Sequence, residues 1–133
     1  MNIQKIYKER FALEREYLGD DKPVNKIKPL VSVCTATYQH QKFIKDCIEG
    51  VLMQKTNFDF EFILGEDESD DGTREICIEY ANKHPDKIRL FLRDRETSQL
   101  YDEKGKFITR FNGKWNRGSA RGKYIAMCEG DDY

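Results

Sequence analysis

The chain has 133 residues, about one domain's worth, with 35% charged and 38% apolar residues. Its 8 Phe, 7 Tyr and 1 Trp provide core material that a disordered chain lacks. A formal net charge of −1 excludes a uniformly basic nucleic-acid binder, no apolar run approaches the roughly 18 residues of a membrane span, and the polar Met1–Arg10 is unlike a secretory signal.

Residues 3–18 place Ile3, Ile6, Tyr7, Phe11 and Leu18 near helical spacing, which predicts an amphipathic N-terminal helix. Gly19-Asp20-Asp21-Lys22-Pro23 stops it and opens a polar linker, so residues 1–28 read as helix plus linker ahead of a domain at 29–133. That helix either caps the domain edge or forms a homodimer contact. From residue 30 the pattern alternates. Strands are expected at 30–34, 58–64, 88–92 and 124–128, and helices at 41–54 and 73–84. The stretch 93–123 is polar and glycine-bearing, with a short helix near its end. This order predicts an α/β fold, a mainly parallel sheet flanked by helices with right-handed crossovers and an extra N-terminal helix. Ligands of such sheets bind beyond the carboxyl ends of the strands.

The four cysteines, at 34, 47, 77 and 128, sit in apolar runs and form no CxxC pair, so buried thiols are expected rather than a zinc site. His40 and His84 are expected at the surface, and neither is a general-base candidate. After the second strand comes Glu66-Asp67-Glu68-Ser69-Asp70-Asp71-Gly72. Asp67, Ser69, Asp71 and Gly72 match the start of a calcium loop, but its last position is Ile78 rather than Glu. Asp71 or Thr73 is expected to cap the next helix. Glu66 and Asp67, at the strand's end, can accept from a base N–H or a ribose hydroxyl. After the fourth strand comes Glu129-Gly130-Asp131-Asp132-Tyr133, oxygen ligands suited to Mg²⁺ or Mn²⁺ shared with a phosphate. Between these acidic clusters, residues 93–123 hold nine Lys or Arg and four acids, a net of +5 that leaves −6 for the rest and suits a diphosphate.

Four blocks in order resemble the family 2 glycosyltransferases, which have a Rossmann-like GT-A fold. Val31-Ser32-Val33-Cys34-Thr35-Ala36-Thr37-Tyr38-Gln39 is similar to their opening strand, usually ending Pro-Thr-Tyr-Asn. Residues 43–54 resemble the helix that follows. Glu61-Phe62-Ile63-Leu64-Gly65-Glu66-Asp67-Glu68-Ser69-Asp70-Asp71-Gly72-Thr73 resembles the segment ending Val-Asp-Asp-Gly-Ser-x-Asp-Gly-Thr, and residues 122–133 resemble the strand entering the Asp-x-Asp motif. The resemblance covers about residues 29–133 and implies the following. Ala36, Thr37 and Tyr38 would pack against a nucleobase, Asp67 would accept its N–H, and Glu66 would sit at the ribose. Glu129 would face the ribose, and Asp131, with Asp132 competing, would hold Mg²⁺ or Mn²⁺. The donor would be a nucleotide-diphosphate sugar of UDP or dTDP type. The acceptor would be a saccharide or lipid-linked glycan, in polysaccharide biosynthesis, with inversion. The general base and acceptor half are expected beyond Tyr133, so this chain alone would be inactive. A cytoplasmic location, peripheral to the inner membrane face, goes with that role, and no nucleic acid partner is expected. The alternative is a non-catalytic nucleotide-binding or interaction domain.

Overall fold

The computed structural model describes residues 1–128. In chain order it contains α1 (Ile3–Phe11), β1 (Val31–Thr37), α2 (Ile44–Leu52), β2 (Phe60–Asp67), α3 (Thr73–Lys83), β3 (Ile88–Arg93), α4 (Arg95–Ser98), β4 (Gln99–Tyr101), β5 (Phe107–Arg110), α5 (Asn112–Ser119) and β6 (Tyr124–Met127). Four strands form a parallel sheet in the order β3-β2-β1-β6, and β4 and β5 pair as a separate antiparallel ribbon.

Two sequence periods build the main layers. In α2, Ile44, Cys47, Ile48 and Val51 are buried at helical spacing. In α3, Thr73, Cys77 and Ala81 do the same. Both stripes meet one face of β2, where Phe60, Phe62 and Leu64 point, with Ile88 and Leu90 alongside. These side chains are close to fully buried, so truncating one such as Leu64 to Ala would cost about 2–5 kcal/mol. Every residue of β2 is buried, as a strand covered on both faces must be.

The opposite face of β2 is different in kind. Strand alternation turns Glu61, Ile63, Gly65 and Asp67 that way. Glu61 is fully buried there and accepts from Ser32 Oγ at 2.6 Å, Arg89 Nη1 at 3.0 Å, and the Arg121 backbone N–H and Nε at 2.7 and 3.0 Å. These partners hold its carboxyl below the usual range even though burial alone would raise it. Arg89 also bonds Glu16 at 2.8 Å, and Glu16 meets Lys22 at 2.5 Å.

The N-terminal region departs from expectation. The helix ends at Phe11, not at 18, and residues 12–28 are no free linker. Glu14 and Glu16 leave the helical path to meet Arg93 and Arg89. The chain then reverses at Leu18 and Gly19, both with positive φ. The Tyr17 N–H donates to Leu90 O of edge strand β3, and Lys22 and Val24 are buried. On α1, Ile6, Tyr7 and Phe11 pack on a satellite core of Leu100, Phe111 and Trp115. The apolar stripe therefore packs on the domain edge within the chain, the first of the two roles expected for it.

Residues 93–123 are likewise more structured than the single short helix expected, holding α4, the β4–β5 ribbon and α5. Of the basic residues there, Arg93 and Arg121 are structural. Arg121 bonds Glu61 and the carbonyls of Val24, Asn25 and Ile27. The four cysteines form no disulfide. Cys34, Cys47 and Cys77 are buried as expected, Cys128 is half-buried, and burial pushes the Cys77 thiol far up. Among the described residues no helix is long and apolar enough to cross a membrane.

Candidate functional site

The carboxyl ends of β1 and β2 lie side by side, with Thr37 in register with Glu66. Beyond them opens a cleft of about 560 Å³. One wall comes from the strand ends and α4: Ala36, Thr37, Tyr38, His40, Asp67 and Arg95. The other comes from β5 and α5: Thr109, Arg110, Asn112, Gly113, Lys114 and Arg117. A second groove of about 450 Å³, bordered by α2 and β1, is apolar apart from a few side chains such as Asp46 and Gln54. It has no convergent polar groups, so the strand-end cleft is the site candidate.

Four residues singled out from sequence meet in this cleft: Ala36, Thr37, Tyr38 and Asp67. Asp67 is nearly buried, accepts the Ser98 hydroxyl at Oδ1, and lies 3.4 Å from Arg95 Nη1 at Oδ2. Burial pushes its carboxyl above the usual range, against the pull of Ser98 and Arg95. The Arg95 guanidinium lies 3.6 Å over the Tyr38 ring, a cation–π contact. One cation thus touches both the aromatic platform and the carboxylate.

Glu66 is not brought to the cleft. It is adjacent to Asp67 in a strand, so its side chain points to the opposite face, toward α3. There it is fully buried, accepts from Ser69, and binds Arg74 Nε at 2.6 Å. With its oxygens so engaged it shapes the turn after β2, and the ribose contact expected of it has no geometric support. The N-cap position of α3 is Gly72 rather than Asp71 or Thr73; Asp71, one residue earlier, accepts from Thr73 N at 3.0 Å, and its Oδ2 also holds Gln41 N at 3.2 Å. The oxygens of the calcium-loop match serve these internal bonds. Among the described residues no group of three or more His, Cys, Asp or Glu is placed to hold a metal ion. Glu129, Asp131 and Asp132 lie outside the described residues. β6 does pair with β1, and Cys128 N donates to Cys34 O at 2.9 Å, so the described chain ends beside the strand that leads into Tyr38.

Several cleft residues escaped sequence reasoning. His40 is half-buried in the wall, with Nδ1 2.9 Å from Thr37 Oγ1, rather than a plain surface residue. Arg95, Arg110, Lys114 and Arg117 were visible only as members of a basic stretch. Their convergence depends on how α4, the ribbon and α5 fold back over the strand ends.

A parallel sheet in the order β3-β2-β1-β6, with a nucleotide-sized polar cleft beyond the carboxyl ends of β1 and β2, defines a Rossmann-like, GT-A type of fold. Residues 32–133 match the family model described as Glycosyl transferase family 2, and the chain belongs to that family. It is 33% identical over 103 residues to an uncharacterized protein of Mycobacterium tuberculosis, covering 77% of this chain and 27% of that one. It is 34% identical over 105 residues to a Bacillus subtilis protein named for teichuronic acid biosynthesis, glycosyltransferase TuaG, covering 79% of this chain and 37% of that one. The chain thus spans between about a quarter and two-fifths of these relatives' lengths. The fold is also that of the mannosyltransferase PcManGT from Pyrobaculum calidifontis, solved with GDP-Man and Mn²⁺. The TM-score is 0.58 at 16% identity, over 97% of this chain and 34% of that one.

Proposed function

We propose that this chain is the donor-binding part of a glycosyltransferase. It would bind a nucleotide-diphosphate sugar through Mg²⁺ or Mn²⁺, and the whole enzyme would transfer the sugar to a saccharide or lipid-linked glycan acceptor with inversion. The observation that carries this reading is the cleft's polarity. An aromatic ring and a buried carboxylate, Tyr38 and Asp67, stand on one wall, and three cations, Arg110, Lys114 and Arg117, stand on the other. A planar base with an N–H suits the first wall and a diphosphate suits the second.

In this reading Tyr38 and the backbone at Ala36–Thr37 hold the base, Asp67 accepts its N–H, and Arg110, Lys114 and Arg117 attract the phosphates. Hard carboxylates such as Asp131 and Asp132 suit a divalent ion, which would neutralise the diphosphate and stabilise the departing nucleotide. Support for the metal and for a nucleotide-sugar comes from the neighbour solved with GDP-Man and Mn²⁺. The nucleobase is proposed as UDP or dTDP type. A role in polysaccharide biosynthesis draws on the teichuronic acid name of one relative. The general base, the acceptor site and a cytoplasmic setting near the inner membrane face belong to the whole protein.

Calorimetry of the chain with UDP, dTDP and GDP, each with Mn²⁺ and with chelator, tests the reading. At least one nucleotide is expected to bind, and more tightly with Mn²⁺. Asp131→Asn or Asp132→Asn should abolish the Mn²⁺ gain. No binding by any nucleotide would overturn the assignment, and equal affinity without metal would remove the metal from it.

A further inference from the structure

We infer that the N-terminal segment, which precedes the family match at residue 32, positions the cation-bearing wall of the cleft through Glu14 and Arg93. This rests on the reading of the cleft as a donor-nucleotide site.

The wall in question is α5, which contributes Asn112, Gly113, Lys114 and Arg117 to the cleft. Two carboxamides seat it on the strand ends. Asn112 Nδ2 donates to Gly65 O at 3.2 Å, and Asn116 Nδ2 donates to Thr35 O at 2.8 Å. Each can do so only if its oxygen faces the other way, and both oxygens are held by one group. Arg93 Nη1 reaches Asn112 Oδ1 at 2.8 Å, Asn116 Oδ1 at 2.6 Å, and the Asn112 carbonyl at 2.9 Å. The opposite edge of the same guanidinium is held by Glu14, with Nε donating to Oε1 at 2.7 Å. Glu14 thus fixes Arg93, Arg93 orients the two amides, and the amides set the height of α5 over the sheet.

Two further observations make this a built arrangement. Residue 65 is glycine where the family pattern has valine. A Cβ there would lie 2.3 Å from Arg93 Nη1, 2.6 Å from Asn112 Oδ1 and 2.7 Å from Asn116 Oδ1, so the guanidinium and amides occupy the space of the missing side chain. In addition, α1 braces both sides of the cleft. Tyr7 OH donates to Lys114 O at 3.3 Å on α5, while Arg10 Nη1 donates to Thr97 O at 2.7 Å on α4, the element that carries Arg95. Glu14 and Arg93 touch no proposed ligand and act through α5, so they are positioning residues.

The test compares Glu14→Ala with Glu16→Ala by nucleotide titration in Mn²⁺. Both remove a carboxylate from the same segment, but Glu16 pairs with Lys22 and with Arg89, which reaches α5 at its last residue, Ser119 O at 2.8 Å, past the residues that line the cleft. Both are expected to lower the melting temperature. At a temperature where circular dichroism shows every variant folded, Glu14→Ala should raise Kd about tenfold, the lower end of what loss of a supporting contact costs. Glu16→Ala, whose partner Arg89 touches the far end of α5 and neither amide, should stay within about twofold of the wild type. Glu14→Gln, which keeps one accepting oxygen, should fall between and serves if the alanine variant does not fold. Equal weakening by the Glu14 and Glu16 variants, or wild-type affinity in the Glu14 variants, would overturn the inference. Absence of binding by the wild type itself would instead fall on the donor-site reading, and this inference would go with it.

Discussion

Glu14 and Arg93 meet although 79 residues separate them, with Nε 2.7 Å and Nη2 2.6 Å from the same carboxylate oxygen. Arg93 is nearly buried, and burial pulls its guanidinium below the ordinary range while Glu14 opposes that shift. A buried cation of this kind is tolerated because its partners are in place, and it becomes costly when one is removed. The pair also joins the segment before the family match to the wall of the cleft.

The small space at residue 65 gives a direct expectation. Gly65→Ala would push a methyl into Arg93 and both amides, all of them pinned by hydrogen bonds. Overpacking of this kind costs about 1–3 kcal/mol. The variant should lose that much by denaturant titration and should also bind nucleotide less tightly, because α5 is lifted. Unchanged stability would mean that the guanidinium has room to move.

Glu61 carries the second buried network. Glu61→Gln leaves Arg89 and Arg121 without their shared carboxylate and should cost about 3–5 kcal/mol. The sign with pH follows from its depressed pKa in the folded state. The stabilisation is present above the ordinary glutamate range and is lost as pH falls through the depressed value. Stability measured from neutral to acidic pH should therefore drop more steeply for the wild type than for Glu61→Gln. Parallel curves would remove Glu61 from the acid sensitivity.

Asp67 should behave in the opposite sense. Its pKa is raised by burial, so the charged form works against folding. That protonation-linked stability is present at low pH and is lost as pH rises through the raised value. Asp67→Asn should therefore leave the ligand-free protein as stable as the wild type, or more stable by up to about 1 kcal/mol, at neutral pH, with the two converging in acid. The same variant should bind nucleotide more weakly, by about 1–2 kcal/mol, with or without Mn²⁺. Calorimetric melting and binding titrations read the two effects separately. A loss confined to the Mn²⁺ arm would place Asp67 in the metal site.

Glu68 sits at φ 60°, a left-handed conformation, where the family pattern has glycine. Glu68→Gly should relieve about 1 kcal/mol of strain, partly offset by loss of the exposed 2.8 Å bond from Arg95 N. A net gain in the denaturation midpoint is expected, and a net loss would show that the Arg95 contact outweighs the strain.

The amino-acid sequence by itself determined the order of strands and helices around the sheet, the buried face of α2, and the presence of Tyr38 and Asp67 at strand ends. These follow from periods of two and 3.6 residues and from local turn residues, which are written into neighbouring positions. The tertiary structure alone decided the rest. Glu66 and Asp67 are equivalent as letters, yet only the placement of α3 on one face and α5 on the other makes Glu66 a partner of Arg74 and leaves Asp67 in the cleft. Residues 12–18 continue a helical pattern, but Glu14 and Glu16 are drawn to Arg93 and Arg89, whose burial would otherwise leave charges unpaired. Nor does a run of basic residues show that Arg93 and Arg121 turn inward while Arg110, Lys114 and Arg117 face the cleft. That sorting depends on which side chains lie within a few ångströms after folding, and the pairing of distant charges has no local period to reveal it.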